Sequence, residues 1–216
     1  MIKAVLFDLD GTLIDSSEGI TKSAQFALEH YGIDEPDLEK LSKFIGPPLH
    51  SSFAKYYGFN ADKAVEAVTV FRSRYNGTGV YESKPYPGVK ECLEELHAKG
   101  YLVGIASSKP ENMCHIILEY HGLLDLFDNI SGASMDGKIE TKEQVLEQLF
   151  ARWPDVDRDS MVLVGDTIFD IKGANNAGLK SIAVSFGFGD VDEMMNEGAC
   201  ALCDDMRDLP GIIENL

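Results

Sequence analysis

Apolar residues in this chain recur in short uninterrupted runs that alternate with stretches of helical spacing. Four runs are typical of buried parallel strands: residues 3–9, 102–106, 161–164 and 181–184. Helical spacing is clearest over residues 88–99 and 142–152, where apolar positions return every three or four residues. Strands that alternate with helices predict an α/β fold with a Rossmann-like, doubly wound parallel sheet.

The segment from residue 15 to residue 84 follows a different pattern. It shows helical spacing interrupted at glycines and prolines, without a run typical of a buried strand. Two prolines and a glycine within residues 81–88 indicate a stiff connector back to the sheet. We therefore predict an α/β core over residues 1–14 and 85–216, with an inserted all-helical domain over residues 15–84.

The charge balance limits the partners that this chain is expected to bind. With 19 Lys and Arg against 36 Asp and Glu, the formal net charge is −17. Nucleic-acid polymers bind through clustered Lys and Arg, so they are poor candidates. A small phosphate can still bind where a metal ion, a lysine or backbone N–H groups compensate the charge locally.

The cysteines and the N-terminus indicate the compartment. The four cysteines do not form a dense disulfide framework, and the first residues lack the pattern of a secretory leader. Cys200 and Cys203 form a C-x-x-C pair, but neither a second pair nor a ligand histidine accompanies it, so zinc or redox chemistry is not favoured. We expect a packed, soluble, cytoplasmic protein without membrane association.

Two carboxylates stand two residues apart directly after the first predicted strand, in the sequence FDLDGT at residues 7–12. Open α/β sheets bind ligands beyond the carboxyl ends of their strands, where Asp8 and Asp10 are expected. A calcium loop does not fit, since Gly11 is fourth rather than sixth in the pattern. One carboxylate could form an acyl-phosphate while the other protonates the leaving oxygen and then activates water. A turn with solvated acids is the alternative.

A second acidic pair, Asp166 and Asp170, follows the third predicted strand. Asp166 could simply cap the next helix. A second carboxylate four residues later adds repulsion, however, unless a cation or a hydrogen-bond donor lies between the two. A hard divalent cation with oxygen ligands meets this need, and magnesium commonly accompanies phosphate.

Two further places offer groups for a phosphate. Ser107 and Ser108 follow the second predicted strand, where a hydroxyl could donate to a phosphate oxygen beside the N–H groups of a helix start. Ordinary turn or capping roles are the alternative for these serines. Lys142 begins the predicted helix 142–152, where its charge opposes the helix dipole. It is either a solvated surface lysine or a buried cation that holds both nucleophile and phosphate.

In chain order, FDLDGT at residues 7–12, Ser107 at a strand end, Lys142, and GDTIFD at residues 165–170 resemble the four motifs of the haloacid dehalogenase-like superfamily. The helical insertion after the first motif is similar to that superfamily's C1 cap. The segments FIGPPL and ASSKP are most similar to those of phosphoglycolate phosphatases and bacterial 5′-nucleotidase-like proteins. Those relatives more often have Thr-Asn where Ser107 and Ser108 stand.

The resemblance implies a role for each acidic motif residue. Asp8 would be the nucleophile and a magnesium ligand. Asp10 would be the general acid and base, and would also bind magnesium through its backbone carbonyl. Asp166 would complete the protein's share of the magnesium ligands.

The resemblance also implies which residues bind phosphate and which support the site. Ser107, Ser108 and Lys142 would bind the transferred phosphoryl group. Asp170 would support Lys142 and a water of the metal, and Thr12 would support the metal ligands. In relatives with this cap, a loop equivalent to residues 45–49 closes over the leaving group.

That cap loop makes Lys43, Gly46 and His50 candidates for substrate specificity. The Gly-Pro-Pro sequence within it is equally suited to a rigid turn between helices, and Arg72 and Arg74 are equally open as specificity residues.

Together these patterns predict a magnesium-dependent phosphatase for a small phosphorylated metabolite, as a monomer or homodimer. By resemblance, nucleoside 5′-monophosphates and phosphoglycolate rank first as substrates. Asp10 favours phosphate chemistry over carbon–halogen cleavage, because the dehalogenase branch lacks that second aspartate. A phosphomutase similar to β-phosphoglucomutase and a non-catalytic phosphometabolite sensor are the alternatives.

Overall fold

The computed structural model describes residues 1–136 and 138–216, and the chain divides into two compact units, Met1–Ile14 with Pro85–Leu216, and Asp15–Lys84. The strands are β1 (Ala4–Phe7), β2 (Ile14–Asp15), β3 (Lys84–Pro85), β4 (Leu102–Pro110), β5 (Asn129–Ala133), β6 (Met161–Gly165), β7 (Lys180–Val184) and β8 (Ala201–Cys203). The α-helices of the described residues are α1 (Ser17–His30), α2 (Leu49–Tyr57), α3 (Ala61–Tyr75), α4 (Val89–Ala98), α5 (Glu111–Tyr120), α6 (Lys142–Arg152), α7 (Ile168–Ala177), α8 (Val191–Glu197) and α9 (Leu209–Glu214).

The larger unit is built on a six-stranded sheet in the order β5-β4-β1-β6-β7-β8. Every neighbouring pair in this sheet is parallel. The chain passes from β1 to β4 and β5 on one side, then crosses back to β6 on the other, so the strand order reverses beside β1. The prediction of an α/β fold with a doubly wound parallel sheet is confirmed.

Both faces of the sheet are buried. Leu6 of β1 and Leu163 of β6 pack in one cluster with apolar residues of α6 and α7. Val5 and Val162 point to the opposite face, because successive side chains of a strand alternate, and they too are fully buried. Burial on both faces explains why these strands read as continuous apolar runs.

The extent of β4 corrects one expectation. The apolar run predicts a strand that stops at residue 106, whereas β4 continues to Pro110. The reason is its pairing with β5, since Ser107 aligns with Gly132 and, after a shift of register, Pro110 aligns with Ala133. Ser107 therefore lies within a strand, not after it.

The unit Asp15–Lys84 contains α1, α2 and α3 and has a buried core of its own. The rings of Phe44 and Phe53 pack edge to face with centroids 4.8 Å apart. Arg74 of α3 donates two hydrogen bonds to the Glu82 carboxylate, at 2.8 and 3.1 Å. Lys22 of α1 adds an ion pair to Glu82 at 3.2 Å. An apolar core and this ion-pair network hold the helical unit together.

Within the described residues, no helix combines the length and apolar character that crossing a bilayer would require. All four cysteines lie in this described part and are free thiols. In the C-x-x-C pair, Cys200 is exposed while Cys203 is buried. Their sulfur atoms face different carbonyl oxygens, those of Ser181 and Asp205, so the pair is not bridged.

Candidate active site

Three neighbouring strands bring the predicted site residues to one edge of the sheet. Asp8 follows β1 directly, Ser107 lies near the end of β4, and Asp166 follows β6 directly. These strands are adjacent and parallel, so their carboxyl ends meet where the strand order reverses. Such a reversal point is where open α/β sheets form their ligand sites.

Lys142 connects two of the predicted carboxylates. Its Nζ atom lies 2.9 Å from Oδ1 of Asp8, 2.8 Å from Oδ1 of Asp170 and 2.8 Å from the carbonyl oxygen of Ala106. The residue is buried, with 5% of its surface exposed, so the alternative of a solvated surface lysine is wrong. Burial alone would lower the pKa of Lys142, but Asp170 and Asp8 outweigh it and raise the pKa. Lys142 is held as a cation.

Asp170 contacts Thr167 with one carboxylate oxygen and Lys142 with the other. Its Oδ2 atom accepts hydrogen bonds from both the backbone N and the hydroxyl of Thr167, at 3.0 and 2.9 Å, at the start of α7. Thr167 is thus the residue that caps this helix, and Asp166 is not, which corrects the capping alternative. The other oxygen of Asp170 faces Lys142.

Asp166 is fixed from several directions. Its Oδ1 accepts a hydrogen bond from the Thr12 hydroxyl at 3.2 Å, and its Oδ2 accepts one from the backbone N of Phe188 at 2.9 Å. The backbone comes very close here, since a Cβ atom at Gly187 would lie 2.6 Å from Oδ2. A side chain at Gly11, whose φ is +86°, would overlap the same carboxylate. Only glycine fits at these two positions around Asp166.

Asp8, Asp166 and Asp170 form a cluster that can hold a cation. One carboxylate oxygen from each residue lies within 4.8 Å of the other two, and all three residues are buried. Burial raises the pKa of Asp8 to about 6, with a further rise from Asp170, although Lys142 opposes it. Burial, followed by the charges of Asp170 and Asp8, raises the pKa of Asp166 well above its usual value. Lys142 supplies one positive charge to the three carboxylates, and a metal ion would supply the remainder.

Asp10 has a lysine partner of its own. Nζ of Lys109 lies 3.0 Å from one carboxylate oxygen of Asp10 and 2.8 Å from the other. The exposed fractions of the two side chains are 6% for Lys109 and 14% for Asp10. Asp10 therefore lies beside the Asp8 cluster with both carboxyl oxygens in contact with the Lys109 ammonium.

The two serines differ in their surroundings. Ser107 is buried, and its Oγ accepts a hydrogen bond from the backbone N of Lys109 at 3.3 Å. Ser108 is partly exposed. A phosphate role for both serines stays a prediction.

The predicted specificity residues belong to the other unit. Lys43 lies in a 3-10 helix with its ammonium 4.6 Å from the ring centroid of Tyr56. Gly46 and His50 are exposed, and His50 lies in the first turn of α2. Arg74 is held by Glu82, which makes it a structural partner within the helical unit. A role for Lys43, Gly46 and His50 in specificity stays a prediction.

Sequence reasoning missed Lys109 and the loop that follows β7. The signal for Lys109 was a lysine directly after two serines near a strand end, in a site otherwise rich in acids. The signal for the loop was the sequence Gly-Phe-Gly-Asp at residues 187–190, since glycines directly after a strand allow the backbone to approach another group closely. Both features contact residues of the predicted set.

Comparison with known proteins identifies the family. The family model described as haloacid dehalogenase-like hydrolase matches residues 5–184, which is most of the chain. This chain therefore belongs to the haloacid dehalogenase-like hydrolases. The predicted family and the predicted enzyme class, a hydrolase with phosphatase relatives, are confirmed.

Individual relatives match 87% or more of the chain. A 5′-nucleotidase of Pseudomonas aeruginosa is 39% identical over 98% of this chain and 95% of its own length. A phosphoglycolate phosphatase of Aliivibrio fischeri is 28% identical over 98% and 96%. The tyrosine-protein kinase PtkA of Mycobacterium tuberculosis is 34% identical over 87% of this chain and 64% of that protein. The crystal structure of a predicted phosphatase from Clostridium acetobutylicum matches with a TM-score of 0.96 and 39% identity over 100% of both chains.

Proposed function

We propose that this chain is a magnesium-dependent phosphomonoesterase that works through an aspartyl-phosphate on Asp8. The observation that carries the proposal is the position of Lys142, whose ammonium contacts Asp8 and Asp170 at the edge of the three-carboxylate cluster. A lysine and a metal beside a carboxylate nucleophile are what phosphoryl transfer needs, since the reaction depends mainly on positioning and charge stabilisation.

In the first half of the reaction, the Asp8 carboxylate attacks phosphorus and the bond from phosphorus to the ester oxygen breaks. The Asp10 carboxyl group gives its proton to that oxygen, so the alcohol leaves neutral. In the second half, Asp10 takes a proton from water as the water attacks phosphorus. The bond from phosphorus to Asp8 breaks, and inorganic phosphate and free Asp8 result.

The residues present fit a magnesium ion. Asp8 and Asp166 offer hard carboxylate oxygens, the donors that Mg²⁺ prefers, and Asp170 completes the three-carboxylate cluster beside them. The three carboxylates and Lys142 leave two uncompensated negative charges, which one divalent cation balances. When bound, the ion would draw charge from the phosphoryl oxygens as the ester bond breaks. Asp10 would add its backbone carbonyl to the ligands.

Lys142 and the serines would orient the phosphoryl group. Lys142 already lies at hydrogen-bond distance from Asp8, so its positive charge would act directly on a phosphoryl group bound there. Ser107 and Ser108, at the end of β4, would donate to the remaining oxygens. Thr12 and Asp170 would not contact the phosphoryl group themselves. Thr12 fixes Asp166 through a hydrogen bond, and Asp170 fixes Lys142 through an ion pair.

Among substrates, we place nucleoside 5′-monophosphates before phosphoglycolate. The relative named 5′-nucleotidase shares 39% identity with this chain, against 28% for the one named phosphoglycolate phosphatase, and both cover nearly the full length. We also propose that the helical unit Asp15–Lys84 serves as the cap that selects the leaving group. Lys43, Gly46 and His50 are its candidate specificity residues.

The test is phosphate release from a panel of esters, with Mg²⁺ and with a chelator. The panel would include several nucleoside 5′-monophosphates and phosphoglycolate, and the wild type would be compared with Asp8→Asn. We expect release that requires the metal, is greatest for a nucleotide and disappears in Asp8→Asn. Release that persists with the chelator and in Asp8→Asn would refute the proposal.

The acceptor of the phosphoryl group needs its own measurement, because a mutase or a kinase would pass it to a hydroxyl instead of water. The same reactions would be repeated with a sugar monophosphate and with a tyrosine peptide present. We expect free phosphate to account for the ester consumed. Phosphate retained on the sugar or transferred to tyrosine would replace the hydrolase assignment with a transferase one.

A further inference from the structure

We infer that Lys109 is the positioning residue of the proposed general acid and base, holding the Asp10 side chain in the orientation that both halves of the reaction need. The inference rests on the proposed function, and it adds a residue to which neither the motif resemblance nor the comparisons assign a role. Three observations support the inference: the geometry of β4, the burial of the ion pair between Lys109 and Asp10, and the separate contacts of the two lysines.

A bulge in β4 directs Lys109 into the site. The pairing of β4 with β5 shifts between Ser107 and Pro110, so the two residues between them have no regular partner on β5. Bulges of this kind re-aim side chains and are frequent beside active sites. The bulge is fixed internally, because the backbone N of Lys109 donates to the Ser107 hydroxyl at 3.3 Å and the thiol of Cys114 lies 3.8 Å from the Lys109 carbonyl oxygen.

The contact between Lys109 and Asp10 restrains the carboxylate. A single ammonium lies 3.0 and 2.8 Å from the two oxygens of Asp10, which fixes the plane of the carboxylate as well as its position. Both side chains are largely removed from water. Removal of one member of such a pair leaves the other charge without compensation, so the pair is strongly coupled.

The two lysines of the site contact different carboxyl groups. Lys142 faces Asp8 and Asp170, while Lys109 faces Asp10, 99 residues away in the sequence. Asp10 starts a tight turn in which the backbone N of Gly11 donates to the carbonyl of Ile14. That turn fixes the backbone but not the side-chain torsions of Asp10. Lys109 supplies the missing restraint.

If Lys109 positions the general acid, the effect of its substitution should depend on whether the leaving group needs a proton. An alkyl ester such as a nucleoside 5′-monophosphate needs a proton on its departing oxygen, whereas p-nitrophenolate departs without one. Lys109→Met should lower kcat/KM for the nucleotide on the order of 100-fold, the size of a typical general-acid contribution, with a much smaller effect on kcat/KM for p-nitrophenyl phosphate, because kcat/KM reports the steps up to cleavage of the ester bond and not the later hydrolysis that both esters share. Loss of metal or of fold would affect both esters alike.

The experiment is a double-mutant cycle over Lys109→Met and Asp10→Asn, measured with both esters in the full-length protein. Lys90→Met, a substitution of an exposed lysine on α4, is the control for loss of a positive charge. Thermal unfolding would verify that each variant is folded. The double variant leaves neither charge of the Lys109–Asp10 pair, so it does not bury an unpaired charge. Asp8→Asn and the wild type, measured first, test the proposed function separately.

If Lys109 acts through Asp10, its substitution should change kcat/KM by less than about 3-fold once Asp10 is Asn, because coupled residues do not add. An equal loss in both backgrounds, or a loss expressed in KM for both esters, would overturn the inference and make Lys109 an independent phosphate ligand. A wild type that hydrolyses the esters while Lys109→Met is unimpaired would overturn it while leaving the phosphatase intact. An inactive wild type would overturn both.

Discussion

Lys142 and Asp170 form a buried ion pair, with Nζ of the lysine 2.8 Å from Oδ1 of the aspartate. The pair joins the first residue of α6 to the first turn of α7. Asp170 is itself anchored by Thr167, so the rigid start of a helix fixes where the Lys142 ammonium lies. The contacts therefore run from Thr167 at the start of α7, through Asp170 and Lys142, to Asp8.

Removing the lysine should cost both activity and stability. Lys142→Met leaves Asp8 and Asp170 buried without their cation, and breaking such a pair costs about 3–5 kcal/mol of unfolding free energy. The double variant Lys142→Met with Asp170→Asn should recover part of that stability but none of the activity. Urea unfolding and phosphate release would measure the two effects. Equal stability of Lys142→Met and the wild type would contradict the assignment of Lys142 as a cation.

Asp166→Asn should weaken magnesium binding before it affects the fold. The metal-free variant should be at least as stable as the wild type, because one of three crowded carboxylates loses its charge. The rise in melting temperature that Mg²⁺ produces in the wild type should shrink in the variant, since a ligand stabilises in proportion to its affinity. Asp136→Asn, at an exposed acid, is the control. An unchanged Mg²⁺ response would exclude Asp166 as a ligand.

Gly187→Ala should act on the metal site through the backbone. The added Cβ would lie 2.6 Å from Oδ2 of Asp166, so the carboxylate or the loop must shift. We expect reduced Mg²⁺ affinity measured by calorimetry, with a native circular dichroism spectrum. Gly211→Ala is a matched control, because nothing lies within 4 Å of a Cβ atom there. Unchanged Mg²⁺ affinity in Gly187→Ala would show that this loop does not fix Asp166.

How far the sequence predicts the structure depends on whether a signal is local. Asp8, Asp10 and Asp166 could be placed because a strand end and a short motif coincide at each. Strands β5 and β8 could not be predicted: NISGA contains polar and small residues, and ALC is only three residues long. They are strands because β4 and β7 supply partners, a tertiary effect that overrides weak local preference.

The same reason explains the missed site residues. Lys109 reaches Asp10 only because a register shift in β4 turns it inward, and that shift depends on how β5 is paired. The contact of Phe188 with Asp166 is made by a backbone N, so the identity of the side chain carries no signal. Motifs predict side chains that perform chemistry, whereas backbone donors and bulges emerge from packing.

The helical unit should show a pH-dependent stabilisation from Glu82. Hydrogen bonds from Arg74 lower the pKa of Glu82 below its ordinary value of 4.5. A carboxyl group with a lowered pKa in the folded state stabilises above its unfolded pKa, and the contribution is lost as the pH falls through the folded value. Glu82→Gln should therefore be less stable at pH 7 by about 0.5–1 kcal/mol, a modest value because the group is partly solvated.

That difference between Glu82→Gln and the wild type should narrow as the pH is lowered below about 4. Chemical unfolding at a series of pH values would measure it, with Glu94→Gln as the control at an exposed ion pair. A stability difference that stays constant or grows toward acid pH would show that the ion pair with Arg74 is not its source.

The proposed mechanism requires Asp8 to carry the phosphoryl group. The most direct measurement is acid quenching during turnover of a nucleoside 5′-monophosphate with Mg²⁺, followed by mass spectrometry of the peptides. We expect a phosphorylated peptide whose modified residue is Asp8. The modification should be sensitive to hydroxylamine, as an acyl-phosphate is, and absent from Asp8→Asn. Phosphate release by Asp8→Asn at the wild-type rate, without a phosphorylated peptide in either protein, would contradict it.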